Sequence, residues 1–316
     1  MIKRQLGNSD LYVAPLTLGG NVFGWTIDEA KSFEILDGFV SAGFNFIDTA
    51  DVYSSWAPGN TGGESETIIG KWMKEKGNRE HVIIATKVGA DMGQGRKDLS
   101  KNYIVKAVED SLKRLQTDYI DLYQTHWDDL LTPVEETLET YSELIKEGKV
   151  RWIGASNLSV ARLSESLEAS KENSFPAYQT FQPEYNLYAR EGFEKEMEVV
   201  CLENNLGVIN YYSLASGFLT GKYRSEADLG QSARGGGIKD FLNERGFKIL
   251  KALDEISTRY ETDQSSVAIA WLIARKSVTA PIASATNLKQ LEALTNAADL
   301  NLDASAIEIL NKASSY

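Results

Sequence analysis

Val82–Lys87, which reads VIIATK, is the stretch that decides the fold. Its apolar and β-branched residues follow one another without polar alternation, which is typical of a strand covered by helices on both faces. Sheets built from such strands are parallel and buried. A lysine that directly follows an apolar strand is costly to bury without a partner. The stretch therefore predicts a buried parallel strand with a polar group at its carboxyl end.

Similar short apolar segments recur along the chain, each followed by a longer segment of helical period. The eight strand candidates begin near Leu16, Phe44, Val82, Tyr119, Val150, Tyr178, Val208 and Thr279. Strands that alternate with helices pair in parallel. Eight β/α units fit a closed (β/α)8 TIM barrel of the α/β class, and the long seventh spacing predicts a long loop after strand 7.

The ends of the predicted elements carry their own signals. Asp28 and Ser159 precede apolar helical segments as candidate N-caps, and Pro133 opens another helix. Before the first strand, residues 3–13 read as an N-terminal β-hairpin around a Gly-Asn-Ser-Asp turn. We expect this hairpin to close the bottom of the barrel.

The alternative architecture is two doubly wound domains. No break in composition, linker or Pro and Gly-rich hinge divides the chain near its middle. We therefore expect a single domain over residues 1–316.

Composition excludes several classes of function. The chain of 316 residues has 33 Lys and Arg, 45 Asp and Glu and a net charge of −12, which argues against nucleic-acid binding. Its longest apolar run, Val267–Ala274, is far shorter than the ~20 residues that cross a membrane. One cysteine and two histidines favour neither a disulfide framework nor a metal site. We expect a cytoplasmic protein with no metal, no nucleic-acid partner and no membrane partner.

Polar side chains collect at the predicted carboxyl ends of the strands, where barrels carry their active sites. In chain order they are Asp48 and Tyr53, Lys87, His126, Ser156 and Asn157, Gln182, and Tyr211. Lys87 and Asp48 are expected to pair, because a buried lysine needs a carboxylate. A cation beside the phenol of Tyr53 would lower its pKa, which would make Tyr53 a general acid.

His126 would hydrogen-bond a carbonyl oxygen and orient it for protonation. Each of these residues also has a purely structural interpretation. Asp48 and Lys87 could form an ion pair of the core, and His126 could be an ordinary buried or surface residue. The convergence of all four on neighbouring strand ends favours catalysis.

Three motifs resemble the aldo-keto reductase family. The first runs from Gly43 to Tyr53 and continues in Gly63–Glu66, the second runs from Ser111 to His126, and the third is Gly148–Asn157. The resemblance extends from about Leu6 to about Ala298. It implies an NAD(P)H-dependent reductase of aldehydes and ketones on a (β/α)8 barrel, with Tyr53 as proton donor, Lys87 and Asp48 lowering its pKa and His126 positioning the substrate.

The resemblance also implies a cofactor site. Ser156, Asn157 and Gln182 match residues that hold the nicotinamide carboxamide, and Tyr211 matches the aromatic residue that stacks on the ring. The other candidates are Gly20, Asn21, Asp48, Ser213, Leu214, Gly217, Lys222, Arg234, Ser284, Thr286 and Gln290. The pattern around Thr286 departs from that of many members, which carry an arginine there. We expect NADP(H) as the preferred cofactor and NAD(H) as the alternative.

The substrate is expected to be a small carbonyl compound, and Trp25, Trp56 and Trp127 are candidates for the pocket wall. Capping of helices is the alternative role for these tryptophans. The alternative function is a non-catalytic NADPH-binding regulatory subunit, because the sequence is also similar to potassium channel β subunits. A metal-dependent hydrolase is disfavoured, because it would need several histidine and aspartate ligands and the sequence has only two histidines. The predicted state is a monomer or homo-oligomer.

Overall fold

A barrel of parallel strands forms the centre of the molecule, as seen in a computed structural model that describes residues 1–316. The strands are β1 Arg4–Gln5, β2 Tyr12–Val13, β3 Thr17–Gly19, β4 Phe46–Asp48, β5 Ile83–Val88, β6 Ile120–Thr125, β7 Val150–Ser156, β8 Thr180–Gln182, β9 Gly207–Val208 and β10 Ile282–Ala283. The eight strands β3 to β10 lie at the eight predicted positions.

The barrel strands follow one another around the sheet in chain order, with β10 beside β3, and every pair is parallel. Hydrogen bonds join the two ends of the sheet. Thr279 N–H donates to Val208 O at 2.8 Å, and Ile282 N–H donates to Asn210 O at 2.9 Å. The predicted (β/α)8 fold is therefore confirmed.

Helices surround the sheet. They are α1 Glu29–Ser41, α2 Glu64–Lys76, α3 Lys101–Leu115, α4 Val134–Lys146, α5 Val160–Asn173, α6 Glu191–Glu194, α7 Met197–Glu203, α8 Glu244–Arg259, α9 Gln264–Ile273, α10 Leu288–Asn296 and α11 Ala304–Ala313. The predicted caps are present: Asp28 accepts from Lys31 N–H, and Ser159 accepts from Arg162 N–H. Pro133 stands directly before α4. None of the helices is long and apolar enough to cross a membrane.

The N-terminal hairpin covers the amino end of the barrel, as predicted. Strands β1 and β2 pair antiparallel, Arg4 with Val13. Leu6, Leu11 and Val13 are buried against the apolar side chains that fill the lower barrel, Phe46, Ala85, Leu122, Ile209, Ala280 and Ile282. A larger apolar core lies between the strands and the helices. The hairpin therefore closes the lower end and leaves the upper end open to a cavity.

The predicted long loop connects β9 to α8. It contains three 3₁₀ helices, Ala215–Thr220, Glu226–Gln231 and Gly235–Phe241. Gly235 is required by close packing, because a Cβ at this position would lie 1.6 Å from Leu229 O. The glycine run at 235–237 begins the third of these 3₁₀ helices.

Candidate active site

The upper layer of the barrel interior is polar, whereas the layer below it is apolar. Side chains alternate along a strand, so residues two apart face the same side. Phe46 and Asp48, Ala85 and Lys87, and Leu122 and Gln124 are such pairs, with the apolar member packed in the lower barrel. The parallel register places Lys87 beside Gln124 and Ser156 beside Gln182. Strand alternation and register thus bring the predicted polar residues together.

Lys87 lies at the centre of this polar layer and is fully buried. Its Nζ donates to Asp48 Oδ2 at 2.7 Å, to Tyr53 OH at 2.8 Å and to Thr49 O at 2.8 Å. An ammonium group has three protons, and each has one acceptor here. The predicted pairing of Lys87 with Asp48 is present, and the phenol of Tyr53 shares it.

Asp48 is held from several sides and lies behind Tyr53. Its Oδ1 accepts from Gln182 Nε2 at 2.9 Å and from Gln124 Nε2 at 3.3 Å. Its Oδ2 accepts from Lys87 and, at 3.2 Å, from Tyr53 OH. The side chain is 1% exposed and does not line the cavity. The structure therefore places Asp48 where it fixes Lys87 and Tyr53, and its contact with the cofactor stays a prediction.

The pKa of Tyr53 differs from the sequence-based expectation. Burial, and after it the carboxylate of Asp48, raise the pKa of the Tyr53 phenol well above its usual value of 10. The predicted lowering of the Tyr53 pKa is therefore wrong in direction, because desolvation and the Asp48 carboxylate disfavour the phenolate more than the charge of Arg234 favours it. The phenol is protonated at neutral pH. Lys87 still donates to the phenol oxygen, where it would stabilise the charge left by a departing proton.

His126 faces the cavity beside Tyr53, with the two ring centroids 6.1 Å apart. Burial, and then the charges of Lys87 and Lys97, lower the pKa of His126 well below its usual value of 6.5. The imidazole is thus neutral at pH 7, and its buried Nδ1 has no hydrogen-bond partner. A neutral imidazole without internal bonds is suited to bonding a substrate oxygen.

A cavity of about 1100 Å³ opens above the polar layer. Tyr53 and His126 lie on its surface, together with the three predicted tryptophans, Trp25, Trp56 and Trp127. Trp25 and Trp56 meet edge to face, with ring centroids 5.5 Å apart, and Trp56 lies 6.0 Å from the ring of Tyr53. One aromatic wall therefore runs from Trp25 to the phenol.

A profile described as the Aldo/keto reductase family matches residues 15–315. The chain belongs to the aldo-keto reductase family. Membership implies an oxidoreductase that acts on small carbonyl substrates with NAD(P)H. The resemblance noted from the three motifs is thereby confirmed.

Named relatives agree with this assignment. The chain is 37% identical over 285 residues to Aldo-keto reductase YhdN of Bacillus subtilis, covering 88% of this chain and 81% of the relative. It is 32% identical over 327 residues to Protein tas of Escherichia coli, covering 95% and 93%. It is also 31% identical over 297 residues to a probable voltage-gated potassium channel subunit beta of Oryza sativa, covering 91% and 88%.

The residues predicted to hold the nicotinamide form a connected set of polar groups. Ser156 Oγ donates to Gln182 O at 2.8 Å, Asn157 Nδ2 donates to Ser156 Oγ at 3.0 Å, and Tyr211 OH donates to Asn157 Oδ1 at 2.9 Å. All four side chains line the cavity. Asn157 also donates to His126 O at 2.9 Å, which ties this set to the catalytic candidates.

The other predicted cofactor residues border the same cavity, together with two lysines. Asn21, Ser213, Leu214, Gly217, Lys222, Ser284, Thr286 and Gln290 all border the cavity. Lys289 also does so, and neither Lys222 nor Lys289 forms an ion pair. Two lysines without carboxylate partners fit an anionic cofactor. Gly20 is the exception, since it does not line the cavity and a Cβ there would lie 2.8 Å from Ser65 Oγ.

Arg234 borders the same cavity. Its guanidinium carbon lies 5.2 Å from the centroid of the Trp25 ring. The structure thus places this predicted cofactor residue against the aromatic wall that leads to Tyr53.

Sequence reasoning missed several contributors. The backbone carbonyl of Thr49 accepts from Lys87, which no side-chain motif reveals. Tyr212, whose φ of +54° is in the left-handed region, lines the cavity next to Tyr211. Asp263 and Ser265, at the start of α9, also line it. No local sequence pattern indicates that these two residues border the cavity.

Proposed function

We propose that this protein reduces small aldehydes and ketones to alcohols with NAD(P)H, with Tyr53 as the proton donor and NADPH as the preferred cofactor. The observation that carries the proposal is the hydrogen-bonded cluster of Lys87, Asp48 and Tyr53. The protonated phenol of Tyr53 and the neutral imidazole of His126 lie side by side on the cavity wall. When bound, the reduced nicotinamide supplies a hydride.

The remaining chemistry is assigned to the chain itself. The imidazole N–H of His126 would donate to the carbonyl oxygen of the substrate and hold that oxygen near the Tyr53 phenol. Tyr53 would then give its proton to that oxygen, and its own oxygen would keep the hydrogen bond from Lys87 Nζ at 2.8 Å. Asp48 positions the ammonium group of Lys87 and does not meet the substrate. General acid catalysis of this kind contributes about 10²–10⁴-fold in rate.

Binding of the cofactor is assigned to predicted residues that line the cavity. Ser156, Asn157, Gln182 and Tyr211 would hold the nicotinamide, and Lys222 and Lys289 would meet the phosphates. The preference for NADPH is supported by the polar segment at Ser284, Thr286 and Gln290. A direct comparison of NADPH and NADH binding by protein fluorescence tests that preference.

The second candidate is a non-catalytic NADPH-binding regulatory subunit, favoured by the relative named as a potassium channel subunit beta. The two functions differ in turnover. A regulatory subunit would bind NADPH and show negligible reduction across a panel of aldehydes.

The deciding experiment is Tyr53→Phe, measured as carbonyl reduction and as NADPH binding on the same preparation. We expect a loss of about 10²–10⁴-fold in kcat with cofactor affinity unchanged within about threefold, because only the phenol proton is removed. Tyr12→Phe, at an exposed tyrosine of the bottom hairpin, is the matched control and should retain full activity. A fully active Tyr53→Phe enzyme would contradict the proposed mechanism.

A further inference from the structure

Lys97 is an exposed cation at the edge of the candidate active site. Its Nζ lies 4.4 Å from the centroid of the Trp127 ring. Trp127 borders the cavity and stacks on His126, with ring centroids 5.9 Å apart and planes inclined by 28°. These two contacts place Nζ within about 10 Å of the imidazole, which is close to the Debye length at physiological ionic strength. The ammonium group therefore lies close enough to the carbonyl-binding position to act on a substrate there.

The charges that act on His126 are both positive. Burial lowers the pKa of His126, and the charges that add to this effect are those of Lys87 and Lys97. Lys87 is paired with Asp48 at 2.7 Å. Lys97 forms no ion pair, and its Nζ donates to no protein atom. Lys97 is thus the uncompensated charge beside the imidazole.

The two loops that carry Lys97 and Trp127 offer no free carboxylate to this lysine. Each of their aspartates already binds another group of the protein: Asp91 accepts from the N–H groups of Gly93 and Gly95, Asp98 pairs with Arg96, Asp128 pairs with Arg162, and Asp129 accepts from the Thr132 hydroxyl and Leu99 N–H. Although the chain has a net charge of −12, this edge of the site presents a cation to a ligand.

Lys97 lies apart from the basic residues that are available to the cofactor. It belongs to the segment between β5 and α3, whereas Lys222 and Arg234 belong to the loop after β9, and Lys289 to α10. Those three residues border the cavity themselves. The charge of Lys97 affects the pKa of His126, whereas none of those three charges does. The anion that Lys97 would meet is therefore on the carbonyl compound.

We propose, on the basis of the reductase function proposed above, that Lys97 recognises an anionic group at the far end of the substrate, so that this enzyme favours aldehydes bearing a carboxylate or a phosphate. The carbonyl oxygen would meet His126, and the rest of the molecule would extend past Trp127 toward Nζ. An ammonium group acts as a point charge, so it can serve either anion. Because Lys97 is exposed, its effect is several-fold in size and depends on salt.

The test compares aldehydes with and without the anion at saturating NADPH. Three pairs serve: para-carboxybenzaldehyde with its methyl ester, succinic semialdehyde with its methyl ester, and glyceraldehyde phosphate with glyceraldehyde. The two members of a pair differ in intrinsic reactivity, so the quantity of interest is the change in the ratio of their kcat/KM values. The first two pairs report on carboxylates and the third on phosphates.

Substitution of Lys97 should change this ratio. In Lys97→Gln the anionic-to-neutral ratio should fall by about 3- to 10-fold for at least one pair at an ionic strength of about 0.01 M. At about 1 M the difference between wild type and variant should disappear, because the Debye length shortens from about 30 Å to about 3 Å.

Two further variants isolate the charge. Lys97→Arg keeps the charge and should keep the wild-type ratio. Lys106→Gln, which removes the charge of another exposed lysine on α3, is the matched control and should leave the ratio unchanged. In Lys97→Gln, kcat/KM for the neutral members and the NADPH dissociation constant should change less than about threefold.

Three results would overturn the inference. One is an unchanged ratio in Lys97→Gln for all three pairs at low salt, although the neutral aldehydes are reduced. Another is an equal loss on both members of each pair, which would show that Lys97 acts only through His126. The third is weaker NADPH binding with an unchanged ratio, which would assign Lys97 to the cofactor.

If no aldehyde is reduced, the reductase function fails, and calorimetric titration of the protein with para-hydroxymethylbenzoate in the presence of NADP⁺ decides the anion site separately. Binding that weakens in Lys97→Gln, but not in Lys106→Gln, would support the site. Absence of binding, or equal binding by wild type and Lys97→Gln, would overturn it.

Discussion

Lys87 and Arg234 are two cations of one active-site region with opposite surroundings. Lys87 is fully buried at a strand end, and each of its three protons has an acceptor on the protein. Arg234 comes from the loop after β9, and its guanidinium has no acceptor on the protein. A cation satisfied internally positions and tunes its neighbours. A cation left unsatisfied next to a cavity is available to a ligand.

Breaking the Lys87 side of this comparison should have the largest effect. Lys87→Met leaves Asp48 buried without its cation, which typically costs about 3–5 kcal/mol of unfolding free energy. Activity should fall by about 10²–10⁴-fold, because the phenol oxygen loses its hydrogen bond. Urea unfolding and steady-state kinetics measure the two effects.

The double variant Asp48→Asn/Lys87→Met is the control for this prediction. It should recover stability relative to Lys87→Met, since no unpaired charge remains, but should not recover activity. Lys239→Met should change neither quantity. Stability of Lys87→Met equal to that of the wild type would contradict the assigned role of the buried pair.

Asp51 is a second carboxyl group whose charge would act on Lys87, so its ionisation state decides whether Asp48 is the only carboxylate partner of Lys87. This carboxyl is 2% exposed, and its Oδ1 has no hydrogen-bond partner. Burial, and then the charge of Glu66, raise the pKa of Asp51 to about 8. The folded state therefore keeps a proton that the unfolded chain releases near pH 4, so stability falls as pH rises from about 4 to about 8.

Asp51→Asn should remove this loss. Its unfolding free energy should exceed that of the wild type by an amount that grows by up to about 3 kcal/mol between pH 5 and pH 8. Chemical denaturation at a series of pH values gives the difference, and the exposed Asp118→Asn serves as control. A difference independent of pH would show that Asp51 is ionised in the folded protein and competes with Asp48 for Lys87.

His126 gives the smallest expected effect. Its pKa lies well below 6.5 in the folded protein because of burial and the charges of Lys87 and Lys97. Below pH 6.5 the unfolded chain binds a proton that the folded protein does not, so stability falls as pH decreases. His126→Asn should lose this component, which is about 1 kcal/mol between pH 7.5 and pH 5.5.

The measurement is the difference in unfolding free energy between wild type and variant at the two pH values. His81→Asn is the matched control, because His81 is exposed and lies before β5 at the opposite end of the strand. The same pH difference in both variants would contradict the account of His126.

Local sequence patterns were sufficient for most of the fold. Unbroken apolar runs marked the barrel strands, and Asp28 and Ser159 marked helix starts that the structure confirms. These signals are local: a strand between two helical layers is apolar, and a cap must present a side-chain oxygen. The single domain over residues 1–316, the monomeric or homo-oligomeric state and the cytoplasmic location stay predictions.

The sequence predicted those residues of the candidate site that lie at the carboxyl ends of strands. Asp48, Lys87 and Gln182 meet because strand alternation and register point them into one layer. The pKa of Tyr53 was not predictable in direction, since it depends on how much water the surrounding chain excludes. The place of Arg234 was not predictable either, because a long loop has no periodicity to fix where its side chains lie.

The sequence by itself determined the barrel, the hairpin beneath it and the Lys87–Asp48 pair, because these depend on local pattern and on a short list of buried charges. Only the tertiary structure decided that Tyr53 stays protonated, that Asp48 lies behind the cavity, and that Arg234 lies over Trp25 without a partner. Those features arise from burial and from contacts between distant segments, and both quantities exist only once the chain has folded.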